Sequence, residues 1–104
     1  MLKVKKQINY VAVYPWMLCL GIPLNVYELY LFAYIYNLNT YHNRYLLFSY
    51  DGDEDDEIIM DSCKYLRMEY GCFTETIKDL EEKGLIISTK EEGRTYYCVR
   101  EDLL

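Results

Sequence analysis

The apolar positions between Asp61 and Arg100 outline two short helices followed by a hairpin. Leu66, Ile77, Leu80, Leu85 and Ile86 are spaced to bury one side of the helical pair, and Glu81-Glu82-Lys83-Gly84-Leu85-Ile86 ends the second helix on a C-terminal glycine. The first of these helices is expected to begin near Glu54–Asp56 or at Asp61 and to end at about Met68, with Gly71 turning the chain. Thr74 is the expected N-cap of the second, which runs to Lys83. The pattern then predicts strands over Leu85–Thr89 and Thr95–Val99, turned by Lys90-Glu91-Glu92-Gly93.

Upstream, Ile8–Val13 alternates and is β-branched enough for a short strand that Pro15 ends, followed by the apolar cluster Trp16, Met17, Leu18 and Leu20. Asn25 is placed to cap a helix over Val26–Asn37, with Glu28 three residues on in the capping-box position. Val26, Leu29, Tyr30 and Ala33 form one face of that helix, while Leu31, Phe32 and Tyr34 occupy the opposite side. A helix apolar nearly all round needs cover on both sides. The cover is either the N-terminal strand with the Trp16 segment or a second copy of the chain, giving a homodimer through Val26–Asn37. Tyr45–Phe48 reads as a further short strand.

Composition then bounds the picture. With 104 residues, of which 52% are hydrophobic and 27% charged, the expectation is one globular domain spanning residues 1–104 with a single core. Thirteen tyrosines suit a core with wet edges and equally a protein interface. The formal net charge is -6, the wrong sign for a nucleic-acid binder, whose affinity comes from neutralising phosphates. Six of the acids, Asp51, Asp53, Glu54, Asp55, Asp56 and Glu57, lie in one run; the rest of the chain is balanced, not basic.

Several chemistries find no support. Cys19, Cys63, Cys72 and Cys98 lack paired spacing and the single His42 is far from them in sequence, so buried thiols in a reducing cytoplasm are expected, with no zinc site and no catalytic cysteine. Asp51, Asp53 and Asp55 open like a calcium loop, but Asp56 stands at its sixth position and Ser62 at its twelfth, where glycine and glutamate belong; a solvated acidic loop over about 51–57 is the reading. Lys3, Lys5 and Lys6 before the uncharged run Gln7–Tyr27 imitate a signal peptide. Pro15, Gly21 and Pro23 interrupt that run and no cleavage pattern follows, so a cytoplasmic protein without membrane attachment is expected. With no phosphate loop, nucleophile elbow or facing carboxylates, neither an enzyme nor a cofactor is expected.

Two stretches together resemble the winged-helix module at the head of replication initiators and small helix-turn-helix proteins of bacterial plasmids and phages. The first is Tyr10–Leu18 (YVAVYPWML), followed by Asn25–Leu29 (NVYEL) and Tyr34-Ile35-Tyr36; the second is Ser62, Tyr65-Leu66, Gly71, Thr76-Ile77 and Glu81–Ile86. The resemblance covers about two thirds of the chain and implies an α+β winged helix: an N-terminal strand, a three-helix helix-turn-helix core and a C-terminal two-stranded wing. It also implies a dimeric DNA-binding protein in replication or transcription control of a plasmid, phage or integrated element. Thr74, Thr76 and Lys78 would then touch the groove of duplex DNA, with Lys64, Arg67, Lys90 and Arg94 on phosphates.

The chain departs from that pattern in three places. Aligning Ser62, Leu66 and Gly71 removes about one turn from the recognition helix, whereas setting Phe73 on the family's valine position keeps it full length; both registers stay open. In either one Glu75 stands where the family commonly has a basic residue, and from Met60 to Gly84 four basic residues face six acidic ones. Glu91 and Glu92 separate Lys90 from Arg94 on the wing, and Tyr41–Glu57 is a longer, more acidic connection than the family's. The competing expectation is therefore an acidic winged helix that has lost DNA binding and engages a basic protein partner or a second copy of itself.

Overall fold

The computed structural model describes residues 11–41, the backbone of 46–49, and 57–104. Three helices, α1 (Val26–Tyr41), α2 (Glu57–Leu66) and α3 (Tyr70–Glu82), precede a hairpin of β2 (Ile86–Glu91) and β3 (Arg94–Val99), with β1 (Leu46–Ser49) between the first two helices. Short 3-10 turns stand at Pro15–Cys19 and Glu101–Leu103. The class is α+β, with a winged-helix-like order of elements.

The sheet is antiparallel in the order β1-β3-β2, with Leu46 opposite Tyr97 on one side of β3 and Ile86 opposite Val99 on the other. The short strand expected over Tyr45–Phe48 is therefore real, shifted by one residue. The strand expected over Ile8–Val13 is not seen: Val11–Val13 are irregular, and residues 8–10 lie outside the described part. The edge of β3 away from β2 belongs to β1, and the arm is held on α1 instead, where the buried Asn37 side chain donates to the Ala12 carbonyl at 3.0 Å.

The hairpin is longer than the sequence suggested. Glu92 (φ 51°) and Gly93 (φ 76°) form a two-residue loop with both residues left-handed, the turn whose twist matches paired strands. The ladder thus continues to Glu91 opposite Arg94.

Helix α1 is the axis of the core. Leu31, Phe32, Ala33, Tyr34 and Ile35 are consecutive and all fully buried, so the helix is enclosed on every side at its middle. Trp16 stands edge-on to Phe32 (ring centroids 6.0 Å apart) and to Tyr36 (5.1 Å), which is the cover expected from its segment. On another side Tyr34 shares a buried hydroxyl contact of 3.2 Å with Ser62 and stacks at 5.5 Å on Tyr65, both on α2. Helix α3 and strand β3 complete the enclosure. The apolar side that raised the possibility of a dimer is thus consumed within one chain; the large hydrophobic side chains that α1 leaves exposed are Val26, Tyr27, Tyr30 and Tyr41.

Both ends of α1 are fixed by side chains. At its start Asn25 Oδ1 accepts the Glu28 N–H and Glu28 Oε1 accepts the Asn25 N–H, each at 2.8 Å, the reciprocal capping box read from the sequence. At its end the helix runs one turn beyond Asn37, through Asn39 and Thr40, which disfavour helix. Asn37 and Thr40 bond back to the carbonyls of Ala33 and Tyr36, and Asn39 Oδ1 accepts the Val99 N–H at 2.8 Å, past the point where β1 stops pairing with β3. No described helix is long and apolar enough to cross a membrane.

Candidate nucleic-acid interface

Helices α2 and α3 are joined by the three-residue turn Arg67-Met68-Glu69. Helix α2 stops where Arg67 adopts a left-handed conformation (φ 57°). The Arg67 N–H donates to the Lys64 carbonyl (3.3 Å) and the Met68 N–H to the Cys63 carbonyl (2.9 Å), the Schellman arrangement that ordinarily selects glycine. Met68 is buried beyond it, and Lys64 and Arg67 stay exposed.

Helix α3 begins at Tyr70, five residues earlier than a Thr74 cap would allow. Thr74 lies inside the helix with its hydroxyl on the Gly71 carbonyl (3.1 Å), and Gly71 occupies the first turn of the helix instead of the connecting turn. The reason is packing. Phe73, Ile77 and Leu80, at helical spacing, are all buried, and driving Phe73 into the core offsets a glycine in the first turn. At 13 residues α3 is not short of a turn.

That inner face decides where the expected contact residues point. Thr76 lies on it, only 5% exposed, and its hydroxyl donates to the Cys72 carbonyl at 2.6 Å, so Thr76 is not presented to a groove. The outer stripe consists of Gly71, half-buried Thr74, Glu75, Lys78 and Glu82. On the hairpin Lys90 is exposed and pairs across the sheet with Thr95, while half-buried Arg94 stands opposite Glu91. Lys64, Arg67, Lys78 and Lys90 are therefore exposed, and Thr74 and Arg94 half-buried.

Two other cations carry structural duties that the sequence did not reveal. Lys83 Nζ donates to both carboxylate oxygens of buried Glu28, at 2.8 Å each, and to the Pro23 carbonyl at 2.9 Å. Burial raises the Glu28 pKa, but the Lys83 and Asn25 hydrogen bonds and the Lys83 charge outweigh that and hold it below its ordinary 4.5. Arg100 Nη1 donates to the Gly84 carbonyl at 3.1 Å and the Arg100 N–H to the Leu85 carbonyl at 3.0 Å, while Arg100 Nε pairs with Asp102 at 2.6 Å. Lys83 beside a helix-ending glycine was the only hint in the sequence, and nothing near Arg100 signalled its role.

A shallow cavity of about 200 Å³ lies between the start of α1 and one flank of α3, lined by Asn25, Tyr27, Cys72, Glu75, Thr76 and Asp79. Burial pushes the Cys63 thiol up to about 11, with Cys72 adding to the effect, so Cys63 has little thiolate at neutral pH. Burial, and then Glu101, raises Cys98 as well. Among the described residues no three His, Cys, Asp or Glu side chains group as metal ligands; most of the acidic run lies outside them. Comparison of the chain with protein families, with curated proteins and with solved structures returns no match.

Proposed function

We propose that the chain is a winged-helix DNA-binding protein, of the kind that serves replication or transcription control of a plasmid, phage or integrated element. The observation that carries this reading is the α2–turn–α3 unit. Its turn sets exposed Arg67, with Lys64 one turn before it, beside the amino end of α3, where the outer positions Gly71 and Thr74 are small enough for close approach to a duplex. Glu69 supplies no side-chain cap there, leaving first-turn amides of α3 for phosphate oxygens. Lys64, Arg67, Lys90 and Arg94 serve phosphates, and Thr74 and Lys78 face the groove. A homodimer would double this footprint.

The test is titration with duplex DNA at low and moderate salt. Binding should weaken steeply with salt, and Arg67→Ala and Lys64→Ala should each lower the logarithmic salt slope by about 1. Glu75→Arg should tighten non-specific binding by removing a carboxylate from the outer stripe. No association even at low salt, where the phosphate attraction is strongest, removes the reading.

A second reading is favoured by one observation: buried Thr76 leaves Glu75 and Glu82 prominent on the outer stripe of α3. On that reading the domain keeps the fold but binds a basic protein partner. Binding of a cationic peptide with no affinity for duplex DNA would select it.

A further inference from the structure

We infer that the groove between the start of α1 and the flank of α3 is a docking site for a polypeptide segment presenting an arginine beside apolar side chains. The inference rests on the second reading above and gives it a location. Glu75 and Asp79 stand one helical turn apart on the α3 wall, and neither carboxylate has a hydrogen-bonding or ionic partner among the described residues. Across the groove stand Asn25 and Tyr27, and the Tyr27 ring is 52% exposed.

The occupant follows from that lining. Two carboxylates one turn apart attract a cation, and a planar guanidinium can bond both at once while lying against an aromatic ring. Lysine, a compact point charge, has no planar face to lie against the ring. The cavity, at about 200 Å³, is of a size for one long side chain and not for a folded element. The surface beside it is apolar: Val26 is 75% exposed and Tyr30 44%, and with Tyr27 they share one face of the first turn and a half of α1. An arginine alone would leave that face in water, whereas an apolar neighbour in the same segment covers it. None of Lys64, Arg67, Lys90 or Arg94 lines the groove; Glu75 alone belongs both to it and to the outer stripe of α3.

The probe is a blocked peptide of sequence leucine-arginine-tryptophan-leucine-arginine-leucine, titrated into the full chain with amide shifts read by NMR. The control peptide has both arginines replaced by glutamine. Shifts should concentrate at Tyr27, Cys72, Glu75, Thr76 and Asp79. The double variant Glu75→Gln/Asp79→Asn, at an exposed and a half-buried position, should bind at least about tenfold more weakly with its spectrum otherwise retained, and Tyr27→Ala several-fold more weakly. Equal binding of the control peptide, or unchanged affinity in the double variant, overturns the site. Shifts centred on Glu91 and Glu92 would keep an acidic interaction module but move it elsewhere; no binding at all overturns both. Concentration-dependent sedimentation that protects Val26, Tyr27 and Tyr30 without added peptide would assign the surface to a second copy and also overturn the proposal.

Discussion

Helices α2 and α3 end in the same backbone motif and differ in everything around it. At the end of α3 the left-handed residue is Gly84 (φ 74°), with the Gly84 N–H on the Glu81 carbonyl and the Leu85 N–H on the Leu80 carbonyl. Lys83 and Arg100 fasten that end to α1 and to the chain after β3. At the end of α2 the equivalent residue is Arg67, and its side chain and that of Lys64 are exposed. One end uses its cations to hold the fold; the other holds them out to solvent. Counting charge along the helical pair treats Lys83 like Lys64, yet only the second is free to meet a phosphate.

The largest consequence lies at Lys83. Lys83→Met leaves the Glu28 carboxylate buried with only the Asn25 amide for company, and should cost about 2–4 kcal/mol in denaturant unfolding at neutral pH. The pH dependence tests the cause. In the native chain the folded Glu28 pKa lies below its ordinary 4.5, so its contribution to stability is complete above that value and is lost as pH falls through the lowered one. Without Lys83 burial dominates, the folded pKa rises above 4.5, and the contribution reverses sign: the variant should gain stability as pH falls from neutrality toward 4.5. Parallel pH profiles for the two proteins would show that the pair is ornamental.

Gly84→Ala is next. A Cβ there would meet the Arg100 guanidinium at 3.8 Å, an ordinary contact, so the cost is conformational and not steric. A left-handed alanine should lower stability by about 1–2 kcal/mol. If thermal unfolding is unchanged, the end of α3 has another way to stop, and the contrast with Arg67 loses its basis.

The contrast also marks what could be read from the sequence. Asn25 with Glu28 and Gly84 before Leu85 are local signals, in which the group that satisfies the backbone lies within a few residues of it, and both land where expected, whereas the hairpin turn narrows from the expected Lys90–Gly93 to Glu92-Gly93. The start of α3 was misjudged because Gly71 and Thr74 carry local signals for a turn and a cap, while the burial of Phe73 against the core carries none. The burial of Phe73 also turns Thr76 inward, against expectation. Once Phe73, Ile77 and Leu80 define the inner face, Thr76 falls on it, three residues from Phe73 and four from Leu80. Lys83 and Glu28 are 55 residues apart in the chain, and periodicity has no reach at that separation. Arg67 gave no sign at all, since left-handed residues are looked for at glycine and asparagine.

The smallest expected effect separates the two ends most cleanly. Arg67→Gly relieves a left-handed side chain but adds freedom to the unfolded chain, so the net change should be a gain of about 0.5–1 kcal/mol, with Met68 still buried and both backbone bonds of the motif retained. The same variant removes a guanidinium beside the amino end of α3. If the chain binds duplex DNA as proposed, Arg67→Gly should be more stable and bind more weakly, with a shallower salt dependence, whereas Arg67→Lys should keep most of the binding and none of the added stability. That opposition is the signature of a side chain retained against a backbone cost for what it touches. A variant that gains stability and binds unchanged would leave Arg67 as a residue the turn merely tolerates, and the exposed cations of α2 would lose their claim to function.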